Sequence, residues 1–185
     1  MQTDIIVSGF GGQGVLFAGQ LLAYAGMDEK MHVTWFPSYG PEMRGGTANC
    51  TVILSSEEIG SPMVRSPLVL IAMNLPSLEK YESQIKPGGL LIINSSIIEE
   101  EANRTDIRVV RVPGNEIAER IGDKRLTNMV MLGALIANQP VMPLEALQKA
   151  LKEHLPVRHH RLLPSNYEAL HEGAKFLAVA AAVQG

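Results

Sequence analysis

The sequence predicts a single α/β domain over residues 1–185: a doubly wound, mostly parallel sheet with a hairpin edge and a helical C-terminal part. Three observations predict it. Short aliphatic and β-branched runs (Asp4 to Ser8, His32 to Phe36, Leu68 to Met73, Leu90 to Ile93, Ile107 to Val112) have the near-continuous apolarity of strands covered on both faces. Helix-forming stretches separate several of these runs, and strand–helix–strand succession implies right-handed crossovers within one sheet. At 185 residues the chain buries roughly 70% of its unfolded surface, enough for one core.

The remaining elements follow in order. After Gly14, the residues Val15, Leu16, Phe17, Ala18, Leu21, Leu22, Ala23 and Ala25 are apolar nearly all round, which predicts a helix lying on the sheet with little exposure. Asn49 to Leu54 alternates, Ser55 to Glu58 turns the chain, and Ile59 is expected to return antiparallel as the second strand of a hairpin. Ser77 to Ile85 reads as a polar-faced helix stopped by Pro87-Gly88-Gly89. From Asn115 onward the pattern is helical: Ile117 to Ile121, Leu126 to Ala137, Leu144 to Leu155, and a last helix from about Ser165. On that last helix Tyr167, Leu170, Ala174, Leu177 and Ala181 share one stripe, with Glu168, Glu172 and Lys175 turned outward. The stretch from Pro156 to Pro164 is the candidate for a hinge.

Composition narrows the function classes. With 16 Lys+Arg against 19 Asp+Glu, a formal net charge of -3 offers no long-range attraction to nucleic acid or to an anionic membrane. No basic N-terminal stretch or small-residue cleavage site precedes the first strand, and the apolar runs are too short to cross a bilayer, so the cytoplasm is the expected location. One cysteine, Cys50, excludes an internal disulfide, a zinc cluster or an iron–sulfur cluster held by this chain alone.

Gly9-Phe10-Gly11-Gly12-Gln13-Gly14 follows a predicted strand and opens a predicted helix, the context a G-x-G-x-x-G motif requires. It makes the domain Rossmann-like. Gly9 permits the tight turn, Gly11 removes the side chain that would keep a ligand from the backbone, and Gly14 lets helix and sheet approach closely. Free N–H groups of the first helical turn then face the crevice, where a partly buried anion gains at most about 2 kcal/mol from the helix dipole. The plain alternative is glycine serving only the packing of a strand–helix corner. NAD is disfavoured, because the second strand runs into Pro37 and Ser38 where a ribose-binding Asp or Glu would stand. A triphosphate-binding loop is excluded, since no Lys-Ser or Lys-Thr follows Gly14.

A second loop, Ser38-Tyr39-Gly40-Pro41-Glu42-Met43-Arg44-Gly45-Gly46, is expected at the carboxyl end of the second strand, beside the glycine turn. Tyr39, Glu42 and Arg44 would project from it. The guanidinium of Arg44 is a planar fork matched to carboxylate or phosphate, and Gly45 and Gly46 allow another backbone to approach. The alternative is a surface ion pair between Glu42 and Arg44, worth less than about 1 kcal/mol.

Together these loops resemble those of the gamma subunit, or gamma domain, of the 2-oxoacid:ferredoxin oxidoreductases. The similarity rests on Gly9 to Gly14 with Ala18 and Leu22 behind it, on Phe36-Pro-Ser-Tyr-Gly-Pro-Glu-Met-Arg-Gly-Gly46, and on Ile59-Gly-Ser-Pro62. Pro87-Gly-Gly89 before a strand ending at Asn94, and Asn128 with Leu132-Gly133, extend it. It covers about residues 4 to 137, more weakly through Asn166. The resemblance implies a non-catalytic subunit of an enzyme that oxidatively decarboxylates a 2-oxoacid with coenzyme A, giving acyl-CoA, carbon dioxide and reduced ferredoxin. It further implies thiamine diphosphate, magnesium and iron–sulfur clusters on alpha, beta and ferredoxin-like delta partners, with coenzyme A at this chain. By position, Gly9, Gly11, Gly12, Gln13, Gly14 and Val15 are the candidates for the coenzyme's phosphates. Ser38, Tyr39, Glu42, Arg44, Gly45 and Gly46 face either ligand or a partner subunit. Free-standing alternatives are a Rossmann-type NAD(P) oxidoreductase and a nucleotide-sensing module.

Other residues invite less. Arg158-His159-His160-Arg161 reads as solvated charge on a loop, Cys50 as a buried inert thiol, and the nine methionines as core or interface filler. No G-x-S-x-G elbow or other nucleophile motif is present.

Overall fold

The computed structural model describes residues 1–39 and 47–178. Its six strands form one sheet in the order β2-β3-β1-β4-β5-β6. β1 (Gln2–Phe10) lies inside it, buried at every position but its two ends. β4 (Val69–Ala72), β5 (Leu90–Asn94) and β6 (Arg108–Val112) extend the sheet from β1 in parallel. On the other side β3 (Thr47–Ser55) runs antiparallel to β1, and β2 (His32–Tyr39) antiparallel to β3, so β3 alone is reversed. The sheet is therefore mostly parallel with a hairpin edge, as the sequence predicts.

The hairpin's composition differs from expectation. Asn49 to Leu54 does not turn back at Ile59; β3 is laddered from His32↔Ser55 to Tyr39↔Ala48 on one side and from Gln2↔Ser55 to Phe10↔Thr47 on the other. Two long strands satisfy both edges of β3 along its length, whereas Gly60 and Pro62 leave the chain after Ile59 ill-suited to a ladder. Phe10↔Thr47 and Tyr39↔Ala48 also set the ends of β1 and β2 at the same sheet edge.

Side chains alternate between two cores. Ile5, Val7, Val52, Leu54, Ile71 and Ile92 face the larger one, beneath α1 (Val15–Asp28), α4 (Thr127–Asn138) and α5 (Leu144–His154). Ile6, Leu70, Ala72, Leu91 and Ile93 face a smaller one closed by Leu78, Tyr81, Ile85 and Ile98. The helix expected over Ser77 to Ile85 is α2 (Leu75–Tyr81), capped by Asn74, whose Oδ1 accepts from Ser77 N at 2.9 Å; a 3₁₀ turn (Glu82–Gln84) completes it. α3 (Gly114–Ile121) ends at Gly122, which takes a φ of 111° as helix-stop glycines do.

The C-terminal part packs around α4, of which every residue but Ala137 is buried. α6 (Leu163–Gly173) crosses it where Gly133 meets the Leu170 carbonyl and Gly173 the Val130 carbonyl, contacts that any Cβ would obstruct. The predicted stripe continues only in part. α6 ends at Gly173, Leu177 is 67% exposed, and Ala181 lies outside the described residues. The Asn138 side chain intercepts the chain after the helix: its Nδ2 donates to Phe176 O at 2.7 Å and its Oδ1 accepts from Ala178 N at 2.6 Å. The stretch proposed as a hinge is a 3₁₀ turn over Val157–Leu162 that leads into α6.

Candidate anion-binding site

The corner between β1 and α1 is built by Gly14, the N-cap, at φ 73° and ψ 21°. A side chain there would be strained and would strike the amide of Asn128, whose Nδ2 donates to Gly14 O at 3.1 Å. Gln13 is tied into the scaffold. Its Oε1 accepts from Phe10 N at 2.6 Å and its Nε2 donates to Met73 O at 3.0 Å, so the side chain joins the turn to the end of β4. Gly11 and Gly12 are exposed, and Val15 is buried, leaving only its amide to meet a ligand.

Backbone accounting makes this corner distinctive. Within it Gln13 N donates to Phe10 O and Ala18 N to Gly14 O. Among the described residues, the amides of Gly11, Gly12, Gly14, Val15, Leu16 and Phe17 have no acceptor. No acidic residue lies in the first turn of α1 and no side chain caps it. Free N–H groups at the positive end of a helix dipole are suited to a phosphate or carboxylate.

Two hollows meet at this corner, of about 360 Å³ and about 260 Å³, and both are lined by Gly12 and Arg125. The larger is walled by Phe17, Leu126, Leu155 and Leu162, with His159 and Asn166 among its polar groups. The smaller holds Gln13, Asn115, Lys124 and Thr127. Gly122 turns the chain after α3 and delivers Asp123, Lys124 and Arg125 to the mouth. Asp123 accepts twice from Arg125 Nε and once from Nη2, at 2.7–3.1 Å, and this guanidinium holds its carboxyl below the usual carboxylate range. Lys124 pairs with Glu119 at 2.9 Å.

The sequence reading places the glycine turn but misses this second wall. Lys124 and Arg125 directly follow a helix-stop Gly-Asp, a signal that charged groups sit at a turn; their position opposite Gly12 has no local signature. His159, read as solvated, lines the larger hollow, while His160 makes a ring-nitrogen hydrogen bond to Leu155 O at 2.9 Å. Ser38 and Tyr39 end β2, separated from β1 only by β3, roughly 10 Å across the sheet. Glu42, Arg44, Gly45 and Gly46 lie outside the described residues.

Redox and metal chemistry find little support in the donor set. Cys50 is fully buried, its Sγ donating to Val15 O at 3.5 Å, and burial pushes its thiol up to about 11. Among the described residues, one group of His, Cys, Asp or Glu converges closely enough for a metal: Asp28, Glu153 and His154. Asp28 closes α1 at the opposite end from the glycine turn, about 20 Å away. These residues do not fit an iron–sulfur cluster or a diphosphate-bound metal at the corner. No described helix is long and apolar enough to cross a membrane.

The chain is an α/β protein whose β1–α1 corner, at the carboxyl edge of the sheet, is open and uncapped. The chain belongs to the pyruvate ferredoxin/flavodoxin oxidoreductase family, whose model matches residues 4–176 and so takes in α5 and α6. Ketoisovalerate oxidoreductase subunit VorA of Methanothermobacter thermautotrophicus is 37% identical over 176 residues, covering 95% of this chain and 36% of that protein. The chain thus spans about a third of that relative's length. The gamma subunit of a keto/oxoacid ferredoxin oxidoreductase from Geobacter sulfurreducens superposes with a TM-score of 0.81 at 26% identity, covering 95% of each chain. A 2-oxoglutarate:ferredoxin oxidoreductase from Magnetococcus marinus, solved with 2-oxoglutarate, coenzyme A and succinyl-CoA bound, has a TM-score of 0.84 at 25% identity. That match covers 94% of this chain and 30% of the other.

Proposed function

We propose that the chain acts as the gamma subunit of a 2-oxoacid:ferredoxin oxidoreductase and that its glycine corner seats an anionic group of coenzyme A. The reaction joins the coenzyme's sulfur to the acyl carbon of a 2-oxoacid, releases carbon dioxide and passes the electron pair to ferredoxin. Thiamine diphosphate, magnesium and the iron–sulfur clusters belong to alpha, beta and delta partners, consistent with a lone buried thiol here. What supports the coenzyme reading is one observation: a row of amides without acceptors, at the rim of a crevice, in a chain of this family. Gly9 shapes the turn, Gln13 pins it, and the free amides of Gly11, Gly12, Gly14 and Val15 hold the anion. Ser38 and Tyr39 end β2 at the same sheet edge, and we assign Ser38, Tyr39, Glu42, Arg44, Gly45 and Gly46 to contact with either the ligand or the thiamine-bearing partner. The family resemblance, the ketoisovalerate oxidoreductase subunit and the 2-oxoglutarate:ferredoxin oxidoreductase named above favour a branched-chain 2-oxoacid or 2-oxoglutarate as substrate. The cytoplasm is the setting this assembly requires.

The test is steady-state kinetics on the assembled enzyme. Gly11→Val places a branched side chain before the amides, and the KM for coenzyme A is expected to rise about tenfold, the equivalent of a helix-terminus contribution of 1–2 kcal/mol. An unchanged KM assigns the turn to packing alone. Arg44→Ala should lower activity of the complex and leave the melting temperature of the isolated chain unmoved. Oxidation of a 2-oxoacid by this chain alone, without thiamine diphosphate, would contradict the subunit role.

A further inference from the structure

At the end of α1 away from the glycine corner, two helices finish side by side: α1 closes on Asp28, and α5 on Glu153 and His154. Carboxyl-terminal helix ends carry partial negative charge, which favours a cation between them. One ligating atom from each of Asp28, Glu153 and His154 lies within 4.8 Å of the others. His154 Nε2 stands 3.3 Å from Asp28 Oδ1 and 3.0 Å from Oδ2. Two donors on a tetrahedral zinc ion are about 3.3 Å apart, so this pair already spans one edge of that polyhedron. Glu153 is exposed and makes no ion pair among the described residues, so rotation of its side chain brings a carboxylate oxygen to the third vertex.

The imidazole is oriented before any metal arrives. Its ring stacks on Tyr24 with centroids 4.2 Å apart and planes 6° from parallel, and the Tyr24 hydroxyl accepts from Gln20 Nε2 at 3.1 Å. The side chains of Asp28 and His154 are only 21% and 33% exposed. Groups that fix a ligand's ring in this way commonly raise metal affinity. Beside the ring a hollow of about 170 Å³ opens between α1 and α5, lined by Gln20, Tyr24, Ala150, His154 and Pro156, with room for a water molecule as fourth ligand. One imidazole with two carboxylates suits zinc, whereas magnesium and calcium take oxygen ligands in larger shells.

We infer that Asp28, Glu153 and His154 bind one zinc ion that clamps the end of α5 to the end of α1. In the free chain the Nε2 hydrogen lies between His154 and the Asp28 carboxylate. Zinc takes the place of that hydrogen, and the ring keeps its proton on Nδ1. A contact between groups 126 positions apart thereby becomes a coordinate link. The chain passes from α5 directly into the 3₁₀ turn over Val157–Leu162 and α6, so the clamp fixes where the C-terminal part departs from the sheet-bound helices. Its consequence is stability, and it is independent of the coenzyme reading.

Calorimetric titration of the full chain, first stripped with a chelator, with zinc chloride tests the site. One zinc per chain is expected, retained in a large excess of magnesium. Free zinc at a hundred times the dissociation constant should raise the melting temperature by about 5 to 10 °C. Glu153→Gln, a nearly isosteric change at an exposed position, and His154→Ala should each weaken zinc about hundredfold. Tyr24→Leu, which removes the stacked ring and keeps all three ligands, should weaken it about tenfold. His171→Ala, at an exposed histidine outside the cluster, should leave affinity unchanged. Unchanged affinity in Glu153→Gln reduces the cluster to an Asp28–His154 ion pair and overturns the site. Absence of binding, displacement by magnesium, or a loss in His171→Ala equal to that in His154→Ala overturns it as well.

Discussion

Two strand-to-helix corners at the carboxyl edge of the sheet are finished differently. Where β6 gives way to α3, Asn94 Oδ1 accepts from Gly114 N at 3.2 Å, Ser96 Oγ accepts from Asn115 N at 2.9 Å, and Glu116 stands in the first turn. That corner supplies its own acceptors and its own negative charge. Where β1 gives way to α1, no side chain caps the helix, no acid stands in the first turn, and six amides have no acceptor among the described residues. Both helices start at the same edge, so strand order alone does not mark a binding site. What distinguishes the candidate corner is its unfinished hydrogen bonding beside a neighbour that is complete.

The open corner is most sensitive at Gly14. Gly14→Ala forces a left-handed φ on a residue with a Cβ and drives the Asn128 amide from its bond, so destabilisation of about 3 kcal/mol is expected by chemical denaturation. A loss below about 0.5 kcal/mol would show that the corner adapts and that its geometry is not held. The closed corner provides the contrast. Asn94→Ala strands the amide of Gly114 and leaves the Asn115 oxygen only its bond from Thr127 Oγ1, at a cost of about 1–3 kcal/mol, yet should raise the KM for coenzyme A less than Gly11→Val does in the complex. A rise in KM equal to that of Gly11→Val would mean that the two corners form one site.

The smallest effect concerns Cys50, packed under α1. Its thiol is raised by burial to about 11, against an ordinary value of 9.0. In the unfolded chain it ionises first, so above its ordinary value the unfolded state binds fewer protons and stability falls as pH rises toward 11. Denaturation midpoints measured upward from pH 9 should show this decline, and Cys50→Ala should flatten it. A slope that survives the substitution would assign it to other groups.

Local pattern carried much of this in advance. β4 and β5 were legible because two-sided burial demands unbroken apolar runs, and both strands are buried at every position. The glycine corner was legible because φ values of 96° at Gly12 and 73° at Gly14 are ones that few other residues adopt. The partner of β3 was not, since an alternating strand specifies which face is buried and not which edge is paired. The early end of α6 escaped notice because helical periodicity persists through Leu177, while the clamp that stops it comes from Asn138, 40 positions before Ala178. The second wall of the site was hidden for the same reason. Asn128 meets Gly14 across 114 positions, and Arg125 and Asn166 reach the crevice only because α4 packs on α1 and α6 on α4, elements far apart in sequence.

By itself the sequence determined the layered α/β class, the strand–glycine–helix corner and the lack of cluster-forming thiols, because each depends on residue type and short-range spacing. Tertiary structure alone decided that β3 lies between β1 and β2, that the first corner stays open while the one at α3 is closed, and that Arg125 and Asn166 line the hollow beside the open one. Those outcomes depend on which distant groups packing brings together, and free energy of that kind is not written in any window of neighbouring residues.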